Sequence, residues 1–326
     1  MPTDGIIKPE ITIKVVGVGG GGGNIVRCVR EKYDLDITLI GINSDLRQLN
    51  TLQKQGITTL PIGEKLTNGR GTGGRAEIGE EAARLEEKRI RALLDGTDLV
   101  IIAATMGGGL GTGAAPVVAE IAHDMGILSI GVVTTPFHFE MPRRMQTAQA
   151  GIARMQGYTD AFITLRNDNL LKIAPDRKMS FVDAFALADE VLRQTVGCVA
   201  ELILTTGVIN VDFSDVTTIF HQSTSSDTLL AIGVDSDPQK AVRKAIDSPL
   251  IDRSITGARG IVLNLTGGPA MSLRDVDEAV HYIHAHAHPE VNIIAGLVVQ
   301  PEMTGKVQAT LIATDFDDAY TPPAED

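Results

Sequence analysis

Tryptophan is absent from this 326-residue chain, and aromatic residues make up only 4% of it. Stacking platforms for single-stranded nucleic acid need more than that. Positive charge is also in deficit: 29 Lys and Arg face 41 Asp and Glu, a formal net charge of −12. Contacts to nucleic-acid phosphates require the opposite balance, so no nucleic-acid partner is expected. The acidic surface favours solubility and leaves room for cations such as Mg²⁺. Cysteine is limited to Cys28 and Cys198. Both fall in helical patterns without metal-ligand spacing, and both are expected to be buried, reduced thiols. No apolar run approaches the ~20 residues of a membrane helix, and Met1–Glu10 is polar and unlike a secretory signal. A cytoplasmic protein is expected. G-x-x-x-x-G-K-[ST], H-E-x-x-H and G-x-S-x-G are all missing, which excludes an ordinary P-loop, a zincin and a serine-hydrolase elbow.

Glycine, by contrast, is plentiful at 34 residues, and it is concentrated in loops that follow apolar runs. Ile11–Val18 is rich in β-branched residues and reads as a strand. An unbroken run, Gly19–Gly23, separates it from a helix beginning at Asn24. Leu99–Ala104 is a second apolar strand. It leads into Gly107-Gly-Gly-Leu-Gly-Thr-Gly113, and the helical Ala114–Ile121 follows. A strand, a glycine turn and a helix in that order present backbone N–H groups to an anion. Gly17–Gly22 is a literal G-x-G-x-x-G, but glycine runs match that pattern easily, and a dinucleotide site needs only this first loop. Two such loops suit a triphosphate better.

Further strands are expected at Ile37–Ile42, Ile127–Thr134 and Ala161–Thr164, with an amphipathic helix over Glu77–Leu94. This alternation predicts a doubly wound parallel sheet. Asn43-Ser44-Asp45 ends one strand. It either faces a ligand at the strand's carboxyl end or caps the next helix. Pro142 suits a helix start. Ser180–Leu204 reads as one helix of roughly 25 residues, spanning ~37 Å, long enough to join two domains. Beyond Gly207, strands at Ile261–Leu265, Ile293–Val299 and Val307–Ala313 and helices near Asp237–Asp247 and Leu273–Ala285 predict a smaller α+β domain. The expected division is an N-terminal extension (1–10), a nucleotide domain (11–179), the long helix (180–204), the α+β domain (205–314) and an acidic tail (315–326). His281, His284, His286 and His288 read as a solvated helix end rather than a metal site, and no metal-ligating residues are assigned.

The loop Gly107–Gly113 resembles the tubulin/FtsZ signature G-G-G-[ST]-G-T-G. The likeness extends, in the family's order, to Val16–Asn24, to Ile62–Leu66 with Gly71 and Gly73-Gly74, to Pro136–Glu140 with Arg144, and to Asn210–Asp215. It covers roughly residues 10–316, and the motifs are specific in combination. It implies a tubulin/FtsZ-like α/β fold: a Rossmann-like parallel-sheet GTPase domain, a long central helix and a smaller α+β C-terminal domain. It also implies GTP or GDP with Mg²⁺ carried on the phosphates, and head-to-tail filaments acting in cell division. By that resemblance Gly20, Gly21, Gly22, Gly23, Asn24, Gly109, Leu110 and Gly111 touch the nucleotide's phosphates, and Gly73, Gly107, Gly108 and Thr112 also belong to the GTP site. Glu140 and Arg144 hold the ribose, Asp189 accepts from guanine, and Asn167 and Phe185 line base and sugar. Asn210, Asp212 and Asp215 complete a neighbour's site, where the aspartates act on the attacking water. By themselves, Asp212 and Asp215 read as a cap and first-turn acid.

The departures from the family pattern are Leu110 for the signature's hydroxyl residue, Met141-Pro142 for glycine and a basic residue, Arg75-Ala76 for Asn-Pro, and a poorly matching His221–Gly233. Leu110 leaves open an alternative, a GTP-binding structural or regulatory polymer with weak or no hydrolysis. The family's linker and terminal peptide, through which division proteins or a membrane tether bind, have no counterpart in residues 1–326.

Overall fold

The computed structural model describes residues 11–33, 35–173, 180–205, 207–223 and 225–320. The first half alternates strand and helix: β1 (Ile13–Val18), α1 (Gly19–Lys32), β2 (Thr38–Asn43), α2 (Leu46–Gln53), β3 (Thr58–Pro61), α3 (Glu64–Thr67), α4 (Ala76–Leu85) and α5 (Glu87–Leu94). It continues through β4 (Leu99–Thr105), α6 (Leu110–Asp124), β5 (Leu128–Thr135), α7 (Pro142–Gln156), β6 (Ala161–Arg166) and α8 (Asn167–Ile173). The six strands pair in parallel in the order β3-β2-β1-β4-β5-β6. β1 and β4 are neighbours, yet their crossovers run to opposite sides. The carboxyl ends of these two strands therefore open a crevice, and both glycine loops leave from it.

α9 (Phe181–Leu204) is the long helix expected from the sequence. Ser180 caps it, accepting the Asp183 N–H at 3.2 Å. Leu192, Val196 and Val199 of α9 share one buried cluster with Val15 and Ile101 of the first sheet and Val262 and Ile312 of the second. The helix is thus the common core of both domains. After it come α10 (Phe213–Gln222), β7 (Leu229–Asp235), α11 (Pro238–Ile246), β8 (Ala258–Gly267), α12 (Leu273–His286), β9 (Asn292–Val299) and β10 (Val307–Phe316). The second sheet has the order β7-β10-β8-β9. The sheets touch where Phe162 of β6 exchanges backbone hydrogen bonds with Ser226 and Thr228, at 2.6 and 3.0 Å.

Several expectations need correction. The helix expected over Glu77–Leu94 is two helices, broken at Glu86 (φ −107°, ψ 16°). The break lets α4 bury Ala82 and Ala83 while α5 buries Ile90 and Leu94. β3 and β7 have no counterpart in the sequence expectation. β3 is a four-residue edge strand, and β7 is held by pairing with the distant β10. The tail expected from residue 315 is docked as far as the structure describes it. β10 runs to Phe316, Arg259 binds Asp317 at 2.7 Å, and Arg253 binds Asp318 at 2.5 Å while lying over the Phe316 ring. The N-terminal extension, 1–10, and residues 321–326 lie outside the described residues. His288 is not part of a solvated helix end. It is 8% exposed, its Nδ1 accepts the Glu290 N–H, and its ring meets Tyr320.

Candidate functional site

Two helices begin at the crevice, and neither is capped. α1 starts directly at Gly19 and α6 at Leu110. Neither N-terminus has a side-chain cap or an acid in its first turn. The first N–H groups of a helix have no carbonyl partner within it, and here they carry the positive end of two helix dipoles. The two ends abut: a methyl on Gly19 (φ 78°) would lie 2.9 Å from the Gly111 nitrogen. The result is a cradle of unpaired N–H groups at Gly19–Gly21 and Leu110–Thr112. Such a cradle binds an anion.

Side chains around the cradle sort the expected contacts. Gly20 and Asn24 are exposed at its rim, whereas Gly22 and Gly23 are buried, Gly22 against Gly17 and Ala103 of the strands and Gly23 toward Leu52 of α2. Gly108 is partly exposed. Gly107 donates its N–H to Thr112 Oγ1 at 2.9 Å, so these two close the loop on itself instead of offering those atoms to a ligand. Leu110 is 6% exposed and belongs to the core cluster between the sheet and α4–α6. Its side chain packs, and only its N–H faces the cradle. Gly109 is wedged against a third loop, where a methyl would lie 2.0 Å from Thr72 Oγ1 and 2.8 Å from the Arg75 nitrogen. Gly73 (φ 62°) in that loop is exposed.

On the other side of α1, Asn24 Nδ2 donates to Asp189 Oδ2 at 3.4 Å, bringing α9 to the cradle. Burial pushes the Asp189 carboxyl above its ordinary range, with partial relief from the Asn24 hydrogen bond and the Arg27 charge. Glu140 is held twice: its Oε1 accepts the Phe137 N–H at 2.9 Å, and its Oε2 accepts from Arg144 at 2.5 Å. Phe185 meets Phe137 edge-on at 5.4 Å, and Phe139 stacks on Phe137 at 5.0 Å. Asn167 is 6% exposed, and its Oδ1 has no partner.

Ser44 repeats this pattern at the end of β2, being 1% exposed with an unpartnered Oγ. Buried polar atoms in folded proteins are nearly always paired, so two orphans at the carboxyl end of the sheet, the end on which the cradle lies, fit a polar ligand. Asp45 resolves differently: it caps α2, accepting the Arg47 N–H at 2.9 Å. Ser44 takes the ligand-facing alternative expected at the end of β2. Thr72, Thr105 and Gln48 also belong to the crevice wall, and nothing in the sequence expectation pointed to them.

Asn210, Asp212 and Asp215 are not brought to the cradle. They follow α9, whereas Asp189 lies near its start. From Asp189 to Leu204, at 1.5 Å per residue, the helix advances about 22 Å. Asn210 shapes their loop by accepting the Gly207 N–H at 2.6 Å. Val208 and Ile209 pair with Leu297. Asp212 occupies the N-cap position of α10 without making a capping hydrogen bond, and Asp215 is in the first turn. A cavity of about 730 Å³ between β6, α7 and the 248–253 segment includes none of these residues or the glycine loops.

The class defined by this fold and crevice is a two-domain, doubly wound α/β protein with a nucleoside-phosphate cradle. Residues 12–175 match the GTPase domain of the Tubulin/FtsZ family, and residues 228–317 match the C-terminal domain of the FtsZ family. An FtsZ dimer from M. jannaschii is 35% identical over 94% of this chain and 88% of its own, with a TM-score of 0.86. CetZ2 from Haloferax volcanii, solved as a GTPγS-bound protofilament, shares the fold. It has 18% identity and a TM-score of 0.79, with 94% of each chain covered. The GDP-bound CetZ1 monomer from the same organism matches similarly, at 18% identity and a TM-score of 0.81 over 94% of this chain and 95% of its own. The chain belongs to the tubulin/FtsZ family.

Proposed function

We propose that this chain is a polymerising GTPase of the FtsZ type, cytoplasmic and acting in cell division, that hydrolyses GTP at the junction between head-to-tail subunits. The observation that carries this is the separation of the cradle from Asp212 and Asp215 along α9. One subunit supplies only half of a hydrolytic site, and a second copy stacked end to end supplies the rest.

In this reading the N–H groups of Gly20, Gly21, Leu110 and Gly111 bind the phosphates, with Gly108 and Gly73 beside them. Asp189, ionised, accepts from guanine N1–H and N2–H₂. Glu140 and Arg144 hold the ribose, and Asn167 and Phe185 flank the base. The fit is supported by the orphaned Ser44 Oγ and Asn167 Oδ1 and by the acid-free helix starts. Mg²⁺ carried with the nucleotide would supply charge neutralisation at the phosphates. The neighbour's Asp212 and Asp215 orient the attacking water and receive its proton as water oxygen bonds to the γ-phosphorus and the bond to the β–γ bridging oxygen breaks. GDP and phosphate leave.

The test is GTP turnover against protein concentration, with electron microscopy in GTP and in GDP. Turnover per subunit rises steeply with concentration as filaments form. Asp212→Ala binds GTP without turnover. Mixing it with Asp189→Ala restores activity, because hybrid junctions pair an intact cradle with an intact Asp212. Turnover that is independent of concentration, or no rescue in the mixture, defeats the proposal.

A further inference from the structure

Arg75 is a cation at the crevice wall, its backbone beside Gly109, that the proposed reaction does not use. Its backbone is fixed: its N–H lies 3.3 Å from the Thr72 carbonyl, its carbonyl accepts from Gly79 at 3.4 Å, and it forms the N-cap of the ten-residue α4. Its nitrogen is also pressed against Gly109, the residue from which α6 starts. The loop leading to it is bare. Gly71, Gly73 and Gly74 all have positive φ, and a methyl on any of them would meet nothing within 4 Å. The side chain itself is exposed, and among the described residues it forms no ion pair or side-chain hydrogen bond. Nearby arginines are committed: Arg84 to Glu120, Arg154 to Glu80 and Arg144 to Glu140.

The order of contacts gives this cation its place. Asp189 touches Asn24 of α1, the start of α1 touches Gly111 of α6, and Gly109 before α6 touches Arg75. A nucleotide whose base sits at Asp189 lays its phosphates along that series. The terminal phosphate then comes nearest the 71–75 loop. A diphosphate ends at the helix starts, and a triphosphate continues to Arg75. A guanidinium offers paired donors that match a phosphate's oxygens and cannot lose its charge.

We propose that Arg75 binds the γ-phosphate, distinguishes GTP from GDP and neutralises the charge that develops there during hydrolysis. This rests on the GTPase reading above. Arg75 makes and breaks no bond. It donates hydrogen bonds to the γ-phosphate oxygens while the neighbour's aspartates handle the water.

The test uses the full chain stripped of nucleotide, titrated with GDP and with GTP, followed by turnover under filament-forming conditions. In Arg75→Ala and Arg75→Met, GDP affinity stays within about two-fold of wild type, GTP affinity falls about ten-fold or more, and turnover falls at least as far. Arg75→Lys, which keeps the charge but loses the fork, recovers part of the GTP affinity and little of the turnover. Thermal melting is unchanged in all three, since the side chain is exposed and, among the described residues, makes no ion pair or side-chain hydrogen bond. Unchanged GTP affinity and turnover in Arg75→Ala overturn the proposal, as does an equal loss of GDP and GTP binding. If wild-type protein binds neither nucleotide, the GTPase reading itself fails, and this inference with it.

Discussion

Asn24 and Asp189 join the two halves of the crevice: an amide in the first helix donates to a carboxylate in the central helix, 3.4 Å away. That bond puts the anion cradle beside a half-buried carboxylate, which in the proposed function accepts from guanine. Because burial raises the Asp189 pKa above its ordinary value of 3.8, ionisation costs more than in a free carboxyl. The sign follows: above the raised pKa the buried charge destabilises the empty protein, and that cost disappears as pH falls through it. In the proposed function, guanine binding needs the charged form. GTP affinity should therefore weaken on acidification at a higher pH than an ordinary carboxylate would cause. Asp189→Ala should bind GTP about 10- to 100-fold more weakly, the worth of hydrogen bonds to a charged group. It should also lack that pH dependence, and calorimetric titration of both proteins decides the matter.

Met141 carries a strained backbone. Its φ of 81° with ψ of 148° lies in a region populated almost entirely by glycine, and its side chain is 69% exposed. Such strain costs of order 1–3 kcal/mol, while glycine adds ~0.5–1 kcal/mol of unfolded-state entropy. Met141→Gly is expected to stabilise the protein by about 1 kcal/mol, read as a raised midpoint in urea. An unchanged or lowered midpoint would show that the backbone relaxes without help.

Leu110 is the odd residue of the signature loop. Since its side chain lies in the core and only its N–H faces the cradle, Leu110→Thr should leave GTP turnover near wild type. Stability should fall by about 1–3 kcal/mol through lost burial and a buried hydroxyl. A rise of ten-fold in turnover would mean that leucine had been suppressing hydrolysis, and would favour the weakly hydrolysing polymer.

The two thiols should separate by reactivity. Burial pushes Cys198 up to about 12, and Cys28, half-buried on α1, is raised less far. The thiolate is the reactive form. An aromatic disulfide reagent at neutral pH should therefore label Cys28 first and Cys198 only as fast as the protein opens. Equal labelling rates for both would contradict the buried position of Cys198.

Much of this was legible in the chain because it is local. The strand–glycine–helix order at Gly19 and at Gly107–Gly113 is a property of neighbouring residues, and so is the apolar spacing that makes α9. From these the parallel sheet, the long helix and an anion cradle could be anticipated. β7 could not, because Leu229–Asp235 becomes a strand only by pairing with Val307–Ala313. The break at Glu86 has the same kind of origin, since α4 and α5 bury different faces.

The sequence by itself determined where the glycine loops, the helix starts behind them and the long helix fall, because glycine content and apolar periodicity act over a few residues. Only the tertiary structure decided how those segments divide the work. It bonded Gly107 to Thr112, buried Leu110, left Ser44 Oγ unpartnered, pressed Arg75 against Gly109, and held Asp212 at the far end of α9 from the cradle. Each of these depends on a contact or a distance between segments far apart in the chain. Such relations exist only once a shared core has fixed the elements against one another.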